Sequence, residues 1–301
     1  MLLICLLHCN SYLYLYNNTI KIQYLLYTFE IVKICISRAY VVHNPYVYFM
    51  KLKFKILLFI FSTYNLNING NINTIKIVGG KIVKNRNKLF TLAIQYKWNN
   101  KWSTNCGGSI IHPEWILTAG NCLTLLERLP MRIIFNSLNL NRIKSKNTRV
   151  ISKVNVFYHP YFDNKKLLYD VVLIKLENQI NGIPIIKLNK ERSIEVPLTM
   201  AKVTGFGTRK YGKLKMERNM RVVSVPLVSN DQCMKSYKKI YNFNICAGRK
   251  GKDSCIGDSG GPLFIQNKTL GQTIQIGVVS WGENCGIKNK YGVYTRVSNI
   301  I

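Results

Sequence analysis

From residue 77 onward the apolar positions fall in short β-rich runs separated by turn residues. The runs are Leu89–Tyr96, Ser109–Thr118, Arg132–Phe135, Val150–Tyr158, Val171–Leu176, Ala201–Val203, Met220–Val225, Gly261–Ile265, Gln275–Ser280 and Gly292–Val297. Many short strands with no sustained helical period predict an all-β sandwich or barrel.

The chain before residue 77 reads differently. Residues 1–49 hold 8 of the 18 tyrosines and little else but Leu, Ile, Asn and Cys, with no period that a packed domain would show. At Met50 a basic start, Lys51-Leu52-Lys53-Phe54-Lys55, precedes the apolar run Ile56 to Phe61 and then Ser62-Thr63. That is the layout of a secretory signal peptide, and the run is far short of the roughly 20 apolar residues that span a bilayer. The expected organisation is therefore a spurious or unstructured leader over 1–49, a signal peptide over 50–64, a short propeptide over 65–76 and a folded domain over 77–301. Met1 to Tyr16, with its apolar Leu2 to Leu7, is an alternative leader. Either reading puts the protein in an oxidising compartment, so it is expected to be secreted and extracellular, with no transmembrane segment.

Composition sharpens this picture. The 301 residues carry 43 Lys+Arg against 13 Asp+Glu, a formal net charge of +30, yet 48% of residues are hydrophobic and 19% charged. Such a chain can bury a sizeable core, which excludes wholesale disorder. Three of the nine cysteines (Cys5, Cys9, Cys35) lie in the leader, and the six that remain can pair completely.

Candidate chemistry begins at Cys255-Ile256-Gly257-Asp258-Ser259-Gly260-Gly261-Pro262. A serine between glycines on a tight turn has an exposed hydroxyl and free neighbouring N–H groups, as a nucleophile beside an oxyanion site requires. This stretch follows Ile77-Val78-Gly79-Gly80, Cys106-Gly107-Gly108-Ser109 with Trp115, Leu117-Thr118-Ala119-Gly120-Asn121-Cys122, and Tyr169-Asp170-Val171-Val172-Leu173-Ile174-Lys175-Leu176; it precedes Ser280-Trp281-Gly282. In that order and spacing the motifs resemble the trypsin-like serine protease family over residues 77–301.

The resemblance implies two six-stranded antiparallel barrels with the site in the cleft between them, and the disulfides Cys106–Cys122, Cys233–Cys246 and Cys255–Cys285. It matches Ser259 to the nucleophile, the N–H groups of Gly257 and Ser259 to the oxyanion hole, and Asp170 to the carboxylate that orients the base. Asp253 matches the floor of the primary specificity pocket, with Gly282 and Gly292 leaving that pocket open. A buried carboxylate there selects Lys or Arg, whose charge offsets its desolvation. Ile77 matches the N-terminus released by zymogen cleavage after Lys76, its ammonium then pairing with Asp258.

One departure decides the expected function. Where the family carries its general-base histidine, this sequence has Asn121, and a carboxamide is not basic at physiological pH. In a related triad, loss of the base alone costs about 2 × 10⁶ in turnover. Of the four histidines, His8 and His43 lie in the leader, and neither His112 nor His159 is placed to reach Ser259. The expected protein is a serine protease homologue without catalysis that acts by binding, as a cascade cofactor, a decoy or a binder of anionic ligands. The alternative is an active endopeptidase cleaving after Lys or Arg, with Asn121 an error in the sequence or gene model. A second departure is the ending at Ser298-Asn299-Ile300-Ile301, where the family continues into a C-terminal helix; the helix is expected to be missing.

No metal or cofactor is expected. Between residues 77 and 301 there are 36 Lys+Arg and 12 Asp+Glu, and no acid occurs from Arg128 through Phe162, on the loop where some relatives bind calcium. Basic clusters at Arg142 to Arg149, Arg209 to Arg221 and Lys235 to Lys252 suit sulfated glycans or acidic proteins. Solvated basic surface with no dedicated ligand accounts for them equally well. The expected partners are peptides or proteins presenting Lys or Arg to the Asp253 pocket, with no nucleic acid. The expected state is a monomer.

Overall fold

The computed structural model describes residues 78–301, apart from 127, 210, 213–215 and 268–270. The leader, the signal peptide, the propeptide, Lys76 and Ile77 lie outside the described residues, as do Lys268 and Thr269 of the Asn267-Lys268-Thr269 glycosylation sequon.

Strand formation follows the alternation of side chains about the pleat. Along the strand Arg221–Val228, Val223, Val225 and Leu227 are buried while Val222, Ser224 and Val228 are half-buried. Among the described residues there are fifteen strands in two sheets. The leading strand β1 (Lys81–Ile82) belongs to the second sheet. The first sheet comprises β2 (Thr91–Trp98), β3 (Lys101–His112), β4 (Trp115–Thr118), β5 (Met131–Ile134), β6 (Thr148–Val150), β7 (Val156–Tyr158) and β8 (Val172–Lys175), in the order β6-β5-β2-β3-β4-β8-β7. The second adds β9 (Lys187–Leu188), β10 (Met200–Gly205), β11 (Arg221–Val228), β12 (Asn244–Ala247), β13 (Pro262–Asn267), β14 (Gln272–Trp281) and β15 (Gly292–Arg296). Its path runs β1-β11-β10-β13-β14-β15-β12 and closes through β11 against β12; β9 pairs parallel to β14.

These are the two barrels of an all-β protein, with the short strands β1 and β9 added to the second. The run expected over Ser109–Thr118 is two strands, because the turn at Pro113-Glu114 folds β4 back on β3. Strand β12 was not apparent from the sequence: its four residues are all buried, so no alternation marks it.

Each barrel fills its own interior. Leu92, Ile94, Ile110, Ile116, Met131, Ile133 and Ile174 pack in the first, and Val203, Val225, Ile245, Leu263, Ile276 and Tyr294 in the second. Each such side chain contributes about 1.5–3 kcal/mol by leaving water. The barrels meet through polar contacts as well: Thr91 on β2 and Thr204 on β10 join hydroxyls at 2.5 Å, and the Gly107 N–H donates to the Ser259 carbonyl at 2.8 Å. Near the end of the described chain, buried Val297 and half-buried Ile300 pack on the core of the first barrel.

Candidate active site

Three loops converge between the barrels. After β4 the chain enters a 3₁₀ turn, Gly120–Leu123, pinned to β3 by the Cys106–Cys122 disulfide. Asp170 lies just before β8, which pairs with β4, so the register of two neighbouring strands brings Asn121 and Asp170 together. Ser259 lies in the turn before β13. Gly260, at φ +80°, has no room for a side chain: a Cβ there would meet Thr118 Oγ1 at 2.1 Å and the Ala119 nitrogen at 3.0 Å. The Ser259 turn is thereby seated against the start of the Asn121 turn.

Asp170 is buried and fully engaged. The Asn121 N–H donates to Oδ1 at 2.9 Å, the Asn121 Nδ2 amide donates to Oδ2 at 2.7 Å, and the Ser280 hydroxyl donates to Oδ2 at 2.5 Å. An ionised carboxylate only accepts, which fixes the orientation of the Asn121 amide. Burial pushes the Asp170 carboxyl up from its ordinary range, and the hydrogen bonds from Ser280, Asn121 and Gly120 act against that rise. Nδ2 also reaches the Ser280 carbonyl at 3.4 Å, and among the described residues no hydrogen bond joins the Asn121 amide to Ser259. The described histidines are engaged elsewhere: His112 Nδ1 accepts from the Glu114 N–H, and His159 accepts from the Tyr161 N–H while its ring stacks on Tyr169 at 4.6 Å.

Beside Ser259 the backbone turns sharply. Gly257 has φ +88°, with the Met216 thioether packed where a Cβ would sit, and the Asp258 N–H donates to the Cys255 carbonyl at 3.0 Å. Among the described residues the N–H groups of Gly257 and Ser259 donate to no protein acceptor. The Asp258 carboxylate is fully buried and accepts from the Gly207 N–H at 2.9 Å and the Cys255 N–H at 3.0 Å. Burial raises it to about 6, and no described cation pairs with it.

Asp253 lies two residues before Cys255 of the Cys255–Cys285 disulfide, at the position the sequence resemblance assigns to the floor of a specificity pocket. It is buried; Oδ2 accepts from the Gly286 N–H at 3.0 Å, and Oδ1 has no hydrogen-bond partner among the described residues. Desolvation, opposed by the N–H groups of Gly286, Ser254 and Gly292, pushes its carboxyl up to about 7. A Cβ on Gly292 would stand 3.0 Å from Asp253 Oδ1 and from Ser254 Oγ, whereas one on Gly282 would meet nothing closer than 3.5 Å. An unpartnered buried carboxylate oxygen favours a cationic donor. The Asp253 N–H donates in turn to the Val78 carbonyl at 3.3 Å, so the described N-terminal segment is stitched to the Asp253 backbone.

Two features of the site were not read from the sequence. In the sequence Ser280 is only part of a motif, whereas in the structure its hydroxyl makes the shortest bond to Asp170. Gly120 was noted only beside Asn121: a Cβ there would lie 2.7 Å from the Phe162 ring, which occupies that space and stacks on Tyr158 at 5.4 Å. A glycine inside an otherwise apolar strand-to-turn junction was the available signal.

The remaining disulfide, Cys233–Cys246, ties the short helix α1 (Asn230–Met234) to β12, so all six domain cysteines are paired as expected. Among the described residues no helix is long and apolar enough to cross a membrane.

A family model described as Trypsin matches residues 77–301. The chain is 34% identical over 240 residues to coagulation factor IX of Oryctolagus cuniculus, covering 74% of this chain and 81% of that protein. It is 31% identical over 220 residues to coagulation factor IX of Cavia porcellus, covering 69% and 75%. It is also 34% identical over 200 residues to coagulation factor XI of Bos taurus, where the match covers 64% of this chain but only 31% of that longer protein. Fold, disulfides and these similarities agree, and the chain belongs to the trypsin family of serine proteases.

Proposed function

We propose that this chain is a secreted trypsin-family homologue that binds peptides or proteins through its cleft and does not cleave them. The observation that carries the reading is the Asn121 amide, which sits on Asp170 at 2.7 Å where the family places its general base. The amide donates to the carboxylate as an imidazole N–H would, yet it offers Ser259 no basic lone pair, so nothing removes the serine proton during attack. The orienting carboxylate Asp170, the oxyanion donors Gly257 and Ser259 and the specificity residues Asp253, Gly282 and Gly292 keep their assigned roles in this reading. The cleft then holds a ligand carrying Lys or Arg.

The layout ahead of the domain supports residues 50–64 as a signal peptide and 65–76 as a propeptide cut after Lys76. Three intact disulfides and relatives named as coagulation factors support an extracellular setting. In the cut protein the Ile77 ammonium would offset the buried Asp258 charge. The net +24 between residues 77 and 301 supports contact with sulfated glycans or acidic proteins, which predicts retention on heparin that weakens steeply with salt. Elution at low salt, no later than a generic basic protein, would remove that part.

The test is turnover of an Arg ester by protein verified to carry Asn121 and cut after Lys76, beside an Asn121→His version. Activity in the His version alone upholds the reading. Equal activity in both overturns it and makes the chain an endopeptidase with another base.

A further inference from the structure

Next to the candidate site lies a groove of about 310 Å³ lined by Lys166, Leu167, Leu168, Lys239, Tyr241, Asn244 and Trp281. Trp281 in its lining stands in the chain between Ser280, the hydroxyl donor to Asp170, and Gly282. Its lining pairs apolar and aromatic faces with two cations and includes no acid.

Both lysines have charge to spare. Lys166 stands 3.9 Å from Asp163 with both side chains exposed, and that carboxylate already accepts the N–H groups of Lys165 and Lys166 at 2.8 and 3.0 Å. Lys239 is exposed and makes no ion pair among the described residues. Lys165 and Lys238 adjoin them in sequence and are exposed.

The groove is also held in shape. Leu167 and Tyr169 adopt left-handed backbone angles, φ +52° and +45°, which a non-glycine residue keeps only where its surroundings enforce it. The enforcement is visible: Tyr169 is stacked between His159 at 4.6 Å and Phe243 at 4.1 Å, and Phe243 stacks on Tyr241 at 5.0 Å. A preformed wall loses little entropy on binding.

We infer that this groove selects an acidic side chain on the bound peptide, with Lys166 and Lys239 as its specificity-determining residues. The inference rests on the peptide-binding reading above. An extended peptide lays its backbone and apolar atoms on Trp281, Tyr241 and the leucines, and a carboxylate two or three residues from the Lys or Arg reaches the rim, at roughly 3.3–3.6 Å per residue. A sulfated glycan matches the cations but leaves the aromatic floor unused.

The experiment measures binding of fluorescent peptides to the purified protein cut after Lys76, with p-aminobenzamidine as a separate probe of the pocket proposed at Asp253. The peptides carry one Arg and either Asp or Asn two or three residues away, on each side in turn. Two exposed pairs, each worth up to about fivefold, predict a preference for Asp of about tenfold on one side. The preference shrinks with salt and disappears in Lys166→Gln/Lys239→Gln, while p-aminobenzamidine binds both proteins alike. Equal binding of Asp and Asn peptides with p-aminobenzamidine intact overturns the groove assignment and spares the site. Loss of heparin-oligosaccharide binding in the double variant without any Asp preference overturns it in favour of a glycan. Failure of every peptide and of p-aminobenzamidine overturns both the groove and the cleft reading beneath it.

Discussion

Asn121 grips Asp170 twice, its backbone N–H donating to Oδ1 at 2.9 Å and its side-chain amide to Oδ2 at 2.7 Å. The carboxylate is buried, so losing a donor leaves a charged acceptor short of partners, at a cost of about 1–3 kcal/mol or more. Asn121→Ala is expected to lower unfolding free energy in denaturant by that amount. Asn121→His, which keeps an N–H donor, is expected to cost less, and Asn121→Asp to cost more than Ala, because two carboxylates then share the site. An Ala variant as stable as the parent would show that the amide contributes nothing to holding Asp170.

The Phe162 ring fills the space beside Gly120, 2.7 Å from where a Cβ would be. Gly120→Ala is therefore expected to destabilise by about 1–3 kcal/mol through overpacking. A smaller residue at 162 should offset much of this, so the double variant Gly120→Ala/Phe162→Leu should show a favourable coupling in a double-mutant cycle. Additive effects would mean that the ring moves aside freely.

Asp253 gives a pH signature. Burial pushes its carboxyl up to about 7, and the cationic ligand proposed above would bind its ionised form. The affinity for p-aminobenzamidine is expected to rise about tenfold per pH unit below 7 and to level off above it. For the unliganded protein the sign reverses: the folded carboxyl holds its proton more tightly than the unfolded one at about 3.9, so ionisation costs stability as pH rises from about 4 to 7. Asp253→Asn should thus stabilise the unliganded protein at pH 8, leave it unchanged at pH 3, and abolish the pH dependence of binding. Calorimetry across that range distinguishes these outcomes.

The Thr91–Thr204 hydroxyl pair is buried between the barrels. Replacing one by Val strands the other hydroxyl and is expected to cost about 1–3 kcal/mol, whereas replacing both is expected to be nearly neutral. Equal costs for the single and double variants would contradict this account.

How much of this was legible beforehand depended on what each residue needs from its neighbours. Strands such as β8 and β11 announce themselves because one side chain in two faces a core. β12 does not, because Asn244, Ile245, Cys246 and Ala247 are buried on both faces and carry no alternation. At the site, the residue types needed for the chemistry stand in motifs, so Ser259, Asp170, Asp253 and Asn121 were legible as candidates. Their partners were not. That Ser280 serves Asp170 depends on where β14 passes β8, and that Phe162 fills the gap at Gly120 depends on a loop path set by ring stacking; sequence spacing encodes neither. The groove at Lys166 and Lys239 was hidden for the same reason, since its two rims are 73 positions apart in the chain.

The bond from the Asp253 N–H to the Val78 carbonyl ties Asp253 to the start of the described domain. Gly286, whose N–H serves Asp253, packs so closely on Val78 that a Cβ on it would fall 2.3 Å from Val78 Cγ1. Displacing Val78 would therefore free the Asp253 N–H and remove the packing that holds Gly286 against the Asp253 carboxylate.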